Sequence, residues 1–220
     1  MPGQKAPEER RRRDILSAAY AVAVRQGIEA LTVRAVAARA GVSHGTVLFH
    51  FKRREDLVVA LLDDVLEATT VLRIPADVER LTRPAARLRM LLRAEMERLS
   101  RDPRHFRLFL EYWALGVRDA MIRRRVGAAL DRYRRAFRAV SETIAPEDRP
   151  TRRRTTGSER SNTHAVSDGL AAVAVSLVHG CVLQAVIDPK NFSVLQHFET
   201  ASGLLDALGV TGRGAARSFA

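Results

Sequence analysis

Residues 32–51, TVRAVAARAGVSHGTVLFHF, decide how this chain is read. Thr32 is a suitable N-cap, and Val33, Val36, Ala37 and Ala40 follow at helical spacing. Gly41-Val42 breaks that helix, and Ser43 caps a second, short one that ends near Phe51. Two helices crossing steeply need a small residue where they touch. They also need a residue that tolerates positive φ in the turn, and an apolar residue on the second helix to lock the angle. Ala37, Gly41 and Val47 fill those places, at offsets of four and ten. This is the spacing of a helix-turn-helix. Gly45 then stands inside the second helix, where glycine costs about 1 kcal/mol relative to alanine. A missing side chain at the start of a reading helix lets the backbone approach a base edge or a phosphate, and helix N-termini offer unpaired N–H groups to phosphate. Ser43 and Thr46 add short hydroxyl donors, and His44, His50, Lys52 and Arg54 add longer ones.

Outward from this core, helical periodicity dominates and strand signals are almost absent. Residues 1–8, MPGQKAPE, read as a mobile arm. A first helix covers about residues 9–26, with Ile15, Ala18, Ala19, Val22 and Ala23 on one side, and Gly27 stops it. Lys52-Arg53 forms a brief joint before a fourth helix, about 54–70. Pro75 and Pro84 bracket a connector. Further helices are expected at 85–100, 104–117, 118–144, 166–188 and 192–208, about nine in all. Residues 145–164, APEDRPTRRRTTGSERSNTH, read as a flexible basic loop, and 210–220 as a frayed tail. The fold class is all-α: a three-helix helix-turn-helix domain over 9–53, then a larger helical domain over 54–209.

The charge supports a polyanionic partner. Formal net charge is +12. Residues 1–55 hold eleven Lys or Arg against five acids, a net of +6, half of the excess in a quarter of the chain. No apolar run reaches the roughly 18 residues of a membrane span; the longest, 170–183, is broken by Ser176, His179 and Gly180. A single cysteine, Cys181, excludes an intramolecular disulfide and a CxxC metal site. His44 and His50 lie about 240° apart around a helix and do not share a metal easily. No signal-type segment follows the N-terminus, so a soluble, cytoplasmic protein without membrane contact is expected.

Residues 14–57 resemble the N-terminal domain of tetracycline-repressor-type (TetR/AcrR) regulators. The matching pattern is a helix ending in G, then T-V-R-x-[IV]-A-x-x-A-G-V-S-x-G-T-[LV]-x-x-H-F-x-x-[KR]-E-x-L. The resemblance implies phosphate contacts from Thr32, Ser43, Thr46, His50 and Arg54. It implies base or groove contacts from Arg34, His44 and Gly45. Two departures stand out. Leu48 replaces a Tyr that commonly reaches the DNA backbone in this family, and Lys52-Arg53 replaces the usual Pro-Ser, adding positive charge beside the groove. Phe49 is expected to pack at the domain surface rather than stack on bases. The Arg10–Arg13 run is either a solvated face or a phosphate or minor-groove contact. The basic loop 149–160 is expected to be solvated.

Two reading heads on a two-fold axis read a palindrome, so a dimer surface is expected. The candidates are helices 166–188 and 192–208. Ala171, Ala174 and Gly180 would allow close approach, and Leu195, Phe198 and Leu205 would give the last helix its face. The resemblance implies a four-helix bundle there. It also implies an effector cavity in the second domain, for which Met90, Phe109, Trp113, Met121, Tyr133, Phe137, His179 and Gln184 are candidates. A small apolar or amphipathic effector is implied, with no cofactor and no metal. The expected function is a homodimeric repressor, released from a palindromic operator by a small molecule. A non-specific nucleoid-type binder draws on the charge alone. An enzyme is disfavoured: the chain has no GxSxG elbow, Walker loop or metal-ligand cluster.

Overall fold

The computed structural model describes residues 8–70, 74–142 and 158–207. The expected arm over residues 1–7, the loop over 145–157 and the tail lie outside the described residues. Among those described there is no strand, and ten α-helices follow one another. They are α1 (Glu8–Gln26), α2 (Val33–Ala40), α3 (His44–His50), α4 (Arg54–Thr70), α5 (Ala76–Glu79), α6 (Pro84–Ser100), α7 (Pro103–Arg118), α8 (Ala120–Glu142), α9 (Ser158–Ile187) and α10 (Val194–Ala207). The tenth helix beyond the expected nine is α5, a single turn inside the Pro75–Pro84 connector. The start of α9 differs too, Ser158 rather than 166. Polar composition suggested a loop there, but no Gly or Pro interrupts 158–168, and polar residues alone do not stop a helix.

The chain forms two compact units, Met1–Thr69 with Arg104–Ala129, and Thr70–Pro103 with Leu130–Ala220. In the first, α1 buries Ile15, Leu16, Ala18, Ala19, Val22, Ala23 and Val24. α2 and α3 contribute Val36, Ala37 and Val47. α7 belongs to this unit through contacts that sequence reading missed. Glu111 Oε2 accepts from the Ile28 backbone N–H at 2.9 Å, Arg107 donates to the Val24 carbonyl, and Tyr112 OH donates to the Val58 carbonyl at 2.8 Å. The inward face of α7 is Phe106, Leu108, Phe109, Tyr112 and Gly116. Helical spacing also puts Leu110 and Trp113 beside Phe106 and Phe109, yet Leu110 is half-buried and Trp113 is 37 % exposed. The hydroxyl bond of Tyr112 explains the rotation: a buried phenol needs an acceptor, and the Val58 carbonyl supplies it.

In the second unit α6 packs on α9 and α10. Leu88, Leu91, Leu92, Met96 and Leu99 of α6 meet a layer that includes Val178, Val182, Phe198 and Leu205. Glu95 sits in that apolar row with its side chain 1 % exposed. It accepts from Arg98 Nε at 2.8 Å, Arg98 Nη2 at 2.7 Å and Tyr133 OH at 2.6 Å. A buried carboxylate persists only when its charge and lone pairs are met in this way. The expectation of no membrane-length segment is corrected: Asp168–Ile187 has a mean hydropathy of 2.2 and the length to cross a membrane. The single polar residues that seemed to break the run do not lower its average enough. Val175, Val178, Cys181 and Val182 of this segment are nevertheless buried against the unit's own helices. Burial pushes the Cys181 thiol up to about 11, the state of an unreactive thiol.

Candidate nucleic-acid interface

The turn before α3 is built by hydrogen bonds that the sequence dictates. Gly41 has φ 64°, the left-handed region. Its N–H donates to Ala38 O at 3.4 Å, and the Val42 N–H to Ala37 O at 3.1 Å. This pair of bonds is a Schellman ending, and it needs a residue without a Cβ penalty at Gly41. Ser43 then caps α3: its Oγ accepts from Thr46 N at 3.0 Å and lies 2.8 Å from Thr46 Oγ1. Thr32 caps α2 in the same manner, accepting from Ala35 N at 3.1 Å. Val47 is fully buried and locks the crossing. The two hydroxyl side chains expected to meet phosphate therefore also define where their helices start.

This construction leaves one side of α3 uncovered. Ser43, His44, Gly45, Leu48 and Phe49 are exposed, and Thr46 and His50 are half-buried. Arg34, Lys52 and Arg53 are exposed nearby in sequence, with Arg53 paired to Asp56 at 3.4 Å. Gly45 has no left-handed φ, and an added Cβ would meet only Ser43 Oγ at 3.8 Å. The fold itself gives no reason for this glycine. Phe49 corrects an expectation: it is 72 % exposed, so it does not pack at the domain surface. Its ring meets His50 edge-on, at 5.2 Å between centroids. With Leu48 it places two apolar side chains on the outer side of a helix whose neighbours are polar donors.

Arg54 also has an internal role. Its guanidinium is spent inside the unit, with Nε donating to Leu31 O at 2.8 Å and Nη2 to Ile28 O at 3.1 Å. It closes the one-turn 3-10 segment Ile28–Ala30. The start of α4 is closed from within the helix, because Asp56 Oδ2 accepts from the Arg53 N–H at 3.1 Å. Arg12 of the basic run lies over the Phe51 ring, 4.9 Å from its centroid.

Comparison with known proteins agrees with this geometry. Residues 15–61 match the family described as bacterial regulatory proteins, tetR family, and residues 84–209 match the BetI-type transcriptional repressor C-terminal family. The chain belongs to the TetR family of transcriptional regulators. A transcriptional regulator from Saccharomonospora viridis, solved with choline, shares its fold at a TM-score of 0.67 and 19 % identity, covering 90 % of this chain and 96 % of that one. FadR from Bacillus subtilis, solved with stearoyl-CoA, has a TM-score of 0.63 and 17 % identity, covering 88 % and 96 %. A TetR regulator from Haloarcula marismortui has 0.66 and 21 %, covering 90 % and 98 %. No curated protein sequence matches the chain. The protein is a DNA-binding transcriptional regulator, and its family is one of regulators.

The residues expected to line an effector cavity in this TetR-family chain do not fall in one unit. Phe109, Trp113 and Met121 belong to the first, and Met90, Tyr133, Phe137, His179 and Gln184 to the second. Three of them do meet. Tyr133 stacks on His179 at 5.8 Å and 14°, and touches Phe137 edge-on at 5.1 Å. Burial lowers the His179 imidazole to about 4, so it is neutral at pH 7. Burial also raises the Tyr133 phenol well above its ordinary value, with Glu95 adding to the shift. Gln184 is exposed, and Met90 and Met121 are partly so. Gln184 is corrected from cavity wall to outer helix face, because α9 turns it away from Val178 and Val182.

Of the residues expected at a dimer surface, Gly180 and Leu195 stand outward and four do not. Ala171, Ala174, Phe198 and Leu205 are buried within their own unit and present nothing outward. The outer stripe of α9 is one step round: Ala172, Ser176 and the half-buried Gly180, flanked by Val173, Leu183 and Ile187. A Cβ on Gly180 would meet nothing within 4 Å. Leu195 and Leu204 of α10 are exposed as well, at 51 % and 60 %. An apolar helix that is uniform all round gives no periodicity from which to choose its outward side, so of the three small residues only Gly180 falls on the outer stripe.

Proposed function

We propose that this TetR-family protein is a cytoplasmic homodimeric repressor. It holds a palindromic operator with one α3 per half-site and lets go when a small apolar or amphipathic effector binds. The observation that carries the reading is the uncovered side of α3. It offers polar donors at the helix start (Ser43, His44), bare backbone at Gly45 and two apolar side chains, Leu48 and Phe49. Base edges are read by such donors, and thymine methyls by such apolar groups. Thr32, Ser43, Thr46 and His50 are the phosphate contacts. Arg34, His44, Gly45 and Phe49 face the groove, and Lys52 adds charge beside it.

Dimerisation follows from the small, apolar outer stripe of α9 continued by α10, since a monomer rarely leaves such a face to water. The effector site lies in the second unit, and Tyr133, Phe137 and His179 are its wall. The choline and stearoyl-CoA complexes of two relatives support a small-molecule effector. At 19 % and 17 % identity they fix no ligand for this chain. Release is a population shift: an effector that favours a form with misplaced heads lowers operator affinity by its differential binding. No catalytic role is assigned.

Operator selection from random duplex DNA, using the purified full chain, tests the reading. The expected product is a two-fold symmetric consensus bound far more tightly than random DNA at about 150 mM salt. Equal affinity for all sequences, with the whole energy following the salt slope, would instead favour the non-specific binder.

A further inference from the structure

The first unit carries a cleft of about 500 Å3, walled by α1, α4 and the start of α7. It shares no residue with α2 or α3, though it includes Arg12 and Arg13 of the basic run. That volume lies within the range of small-molecule sites, about 300–1,000 Å3. Its floor is apolar, formed by Leu16, Leu61 and Val65, all buried. Its two ends differ in chemistry.

One end carries Arg12 and Arg13, adjacent and exposed on α1. Arg13 Nε reaches only the Glu9 carbonyl, at 3.5 Å. Asp64 is the single carboxylate in the wall. Burial pushes it above the usual carboxylate range, and Arg12 pulls the other way. Two guanidiniums therefore outweigh one carboxyl group. The other end is neutral and polar. The Thr69 hydroxyl donates to Val65 O at 2.8 Å, so its oxygen accepts from His105 Nε2 at 3.1 Å. His105 thus carries its proton on Nε2, and Nδ1 accepts from the Tyr20 hydroxyl at 3.2 Å. Along α1, Arg12 and Tyr20 are separated by about 12 Å of rise.

We propose that this cleft is a second ligand site, distinct from the effector site of the second unit, and that it takes a small amphipathic anion. The carboxylate lies on Arg12 and Arg13, and a flat or short apolar body covers Leu16, Leu61 and Val65. A hydroxyl at the far end donates to the Tyr20 hydroxyl oxygen, which His105 holds in place. Arg12 stands over Phe51, the residue that ends α3, so an anion on Arg12 acts on the joint behind the reading helix.

Calorimetric titration of the full chain with 4-hydroxycinnamate, in the absence of DNA, tests this independently of the operator reading. The expected result is saturable binding of one molecule per chain, with Kd on the order of 10–500 μM. Ser17→Trp fills the cleft from an exposed position, and Arg12→Gln with Arg13→Gln removes its cations. Each should weaken binding about tenfold or more, as should the uncharged methyl ester of the probe. No saturable heat up to about 5 mM probe overturns the proposal. An affinity unchanged in the folded Ser17→Trp chain also overturns it. Should Ser17→Trp not fold, unchanged affinity in the double Arg variant does the same.

Discussion

Gly45→Ala separates a contact role from a structural one, because the two roles predict opposite signs. Gly45 is helical and exposed, and a Cβ built on it meets only Ser43 Oγ, at the ordinary distance of 3.8 Å. The methyl group fits the folded chain without displacing anything. Replacing an unstrained helical glycine by alanine stabilises a helix by about 0.5–1 kcal/mol, chiefly by restricting the unfolded chain. For a chain of this size that raises the thermal midpoint by roughly 2–4 °C. On DNA the same methyl stands where backbone approaches a base edge or phosphate. Losing that approach costs about 1–3 kcal/mol, or roughly 5- to 150-fold in Kd. The assay is anisotropy of a labelled selected operator and of a scrambled duplex at one salt concentration, run beside a thermal melt. The expected pair is a raised midpoint and a weakened operator complex. A raised midpoint with unchanged operator affinity refutes the contact argument. A lowered midpoint refutes the structural one, since it would mean the fold needs the glycine after all.

Phe49→Ala should leave the melt unmoved, because the ring is largely exposed. It should cost about 1 kcal/mol in operator binding, concentrated at a position that prefers thymine; uniform loss over all positions in a binding array would argue against methyl contact. Arg54→Ala should lower stability by about 2 kcal/mol by uncapping the Leu31 and Ile28 carbonyls, and leave the salt slope unchanged. Lys52→Ala should reduce that slope by about one unit; if the two variants exchange these outcomes in salt-dependent titrations, the roles are reversed. Ile187→Asp together with Leu204→Asp should yield a soluble monomer by light scattering with a melt close to that of the parent, and a persistent dimer would place the interface elsewhere. Finally, the folded pKa of His179, about 4, lies below its ordinary 6.5, so its stabilising contribution is complete above pH 6.5 and is lost as pH falls toward 4. The loss reaches about 2 kcal/mol by pH 5. His179→Gln should flatten that part of the stability profile in urea unfolding, and an unaltered profile would assign the acid sensitivity to other groups.

The reading head was legible because its determinants are local. A cap hydroxyl, a left-handed glycine and a helical run of alanines act within about ten residues, and each leaves a residue type at a fixed offset. Ser43, Gly41 and Val47 do in the structure what their spacing requires. The internal partners of Arg54 were hidden for the opposite reason. They are carbonyls more than twenty residues away, and a carbonyl has no sequence signature, so nothing beside the reading helix marked them. Glu111, Arg107 and Tyr112 escaped notice likewise, since each reaches backbone of α1, α4 or the turn after α1. The second unit shows a further limit. α9 is apolar on every side, so composition identified it as a helix that needs several partners but not which residues face which partner. The neutral imidazole of His179 and the carboxylate of Glu95 were visible only as polar residues in apolar rows. What they do depends on Tyr133, brought alongside by a different helix. Thus the residues proposed to touch DNA lie mostly in one short segment, where local physics reads them out. The proposed ligand sites are assembled from helices distant in sequence. That second kind of site can be located only after packing has chosen a face for each helix, as the cleft beside Arg12 and Tyr20 illustrates: its wall draws on three helices, and no single one of them carries a motif.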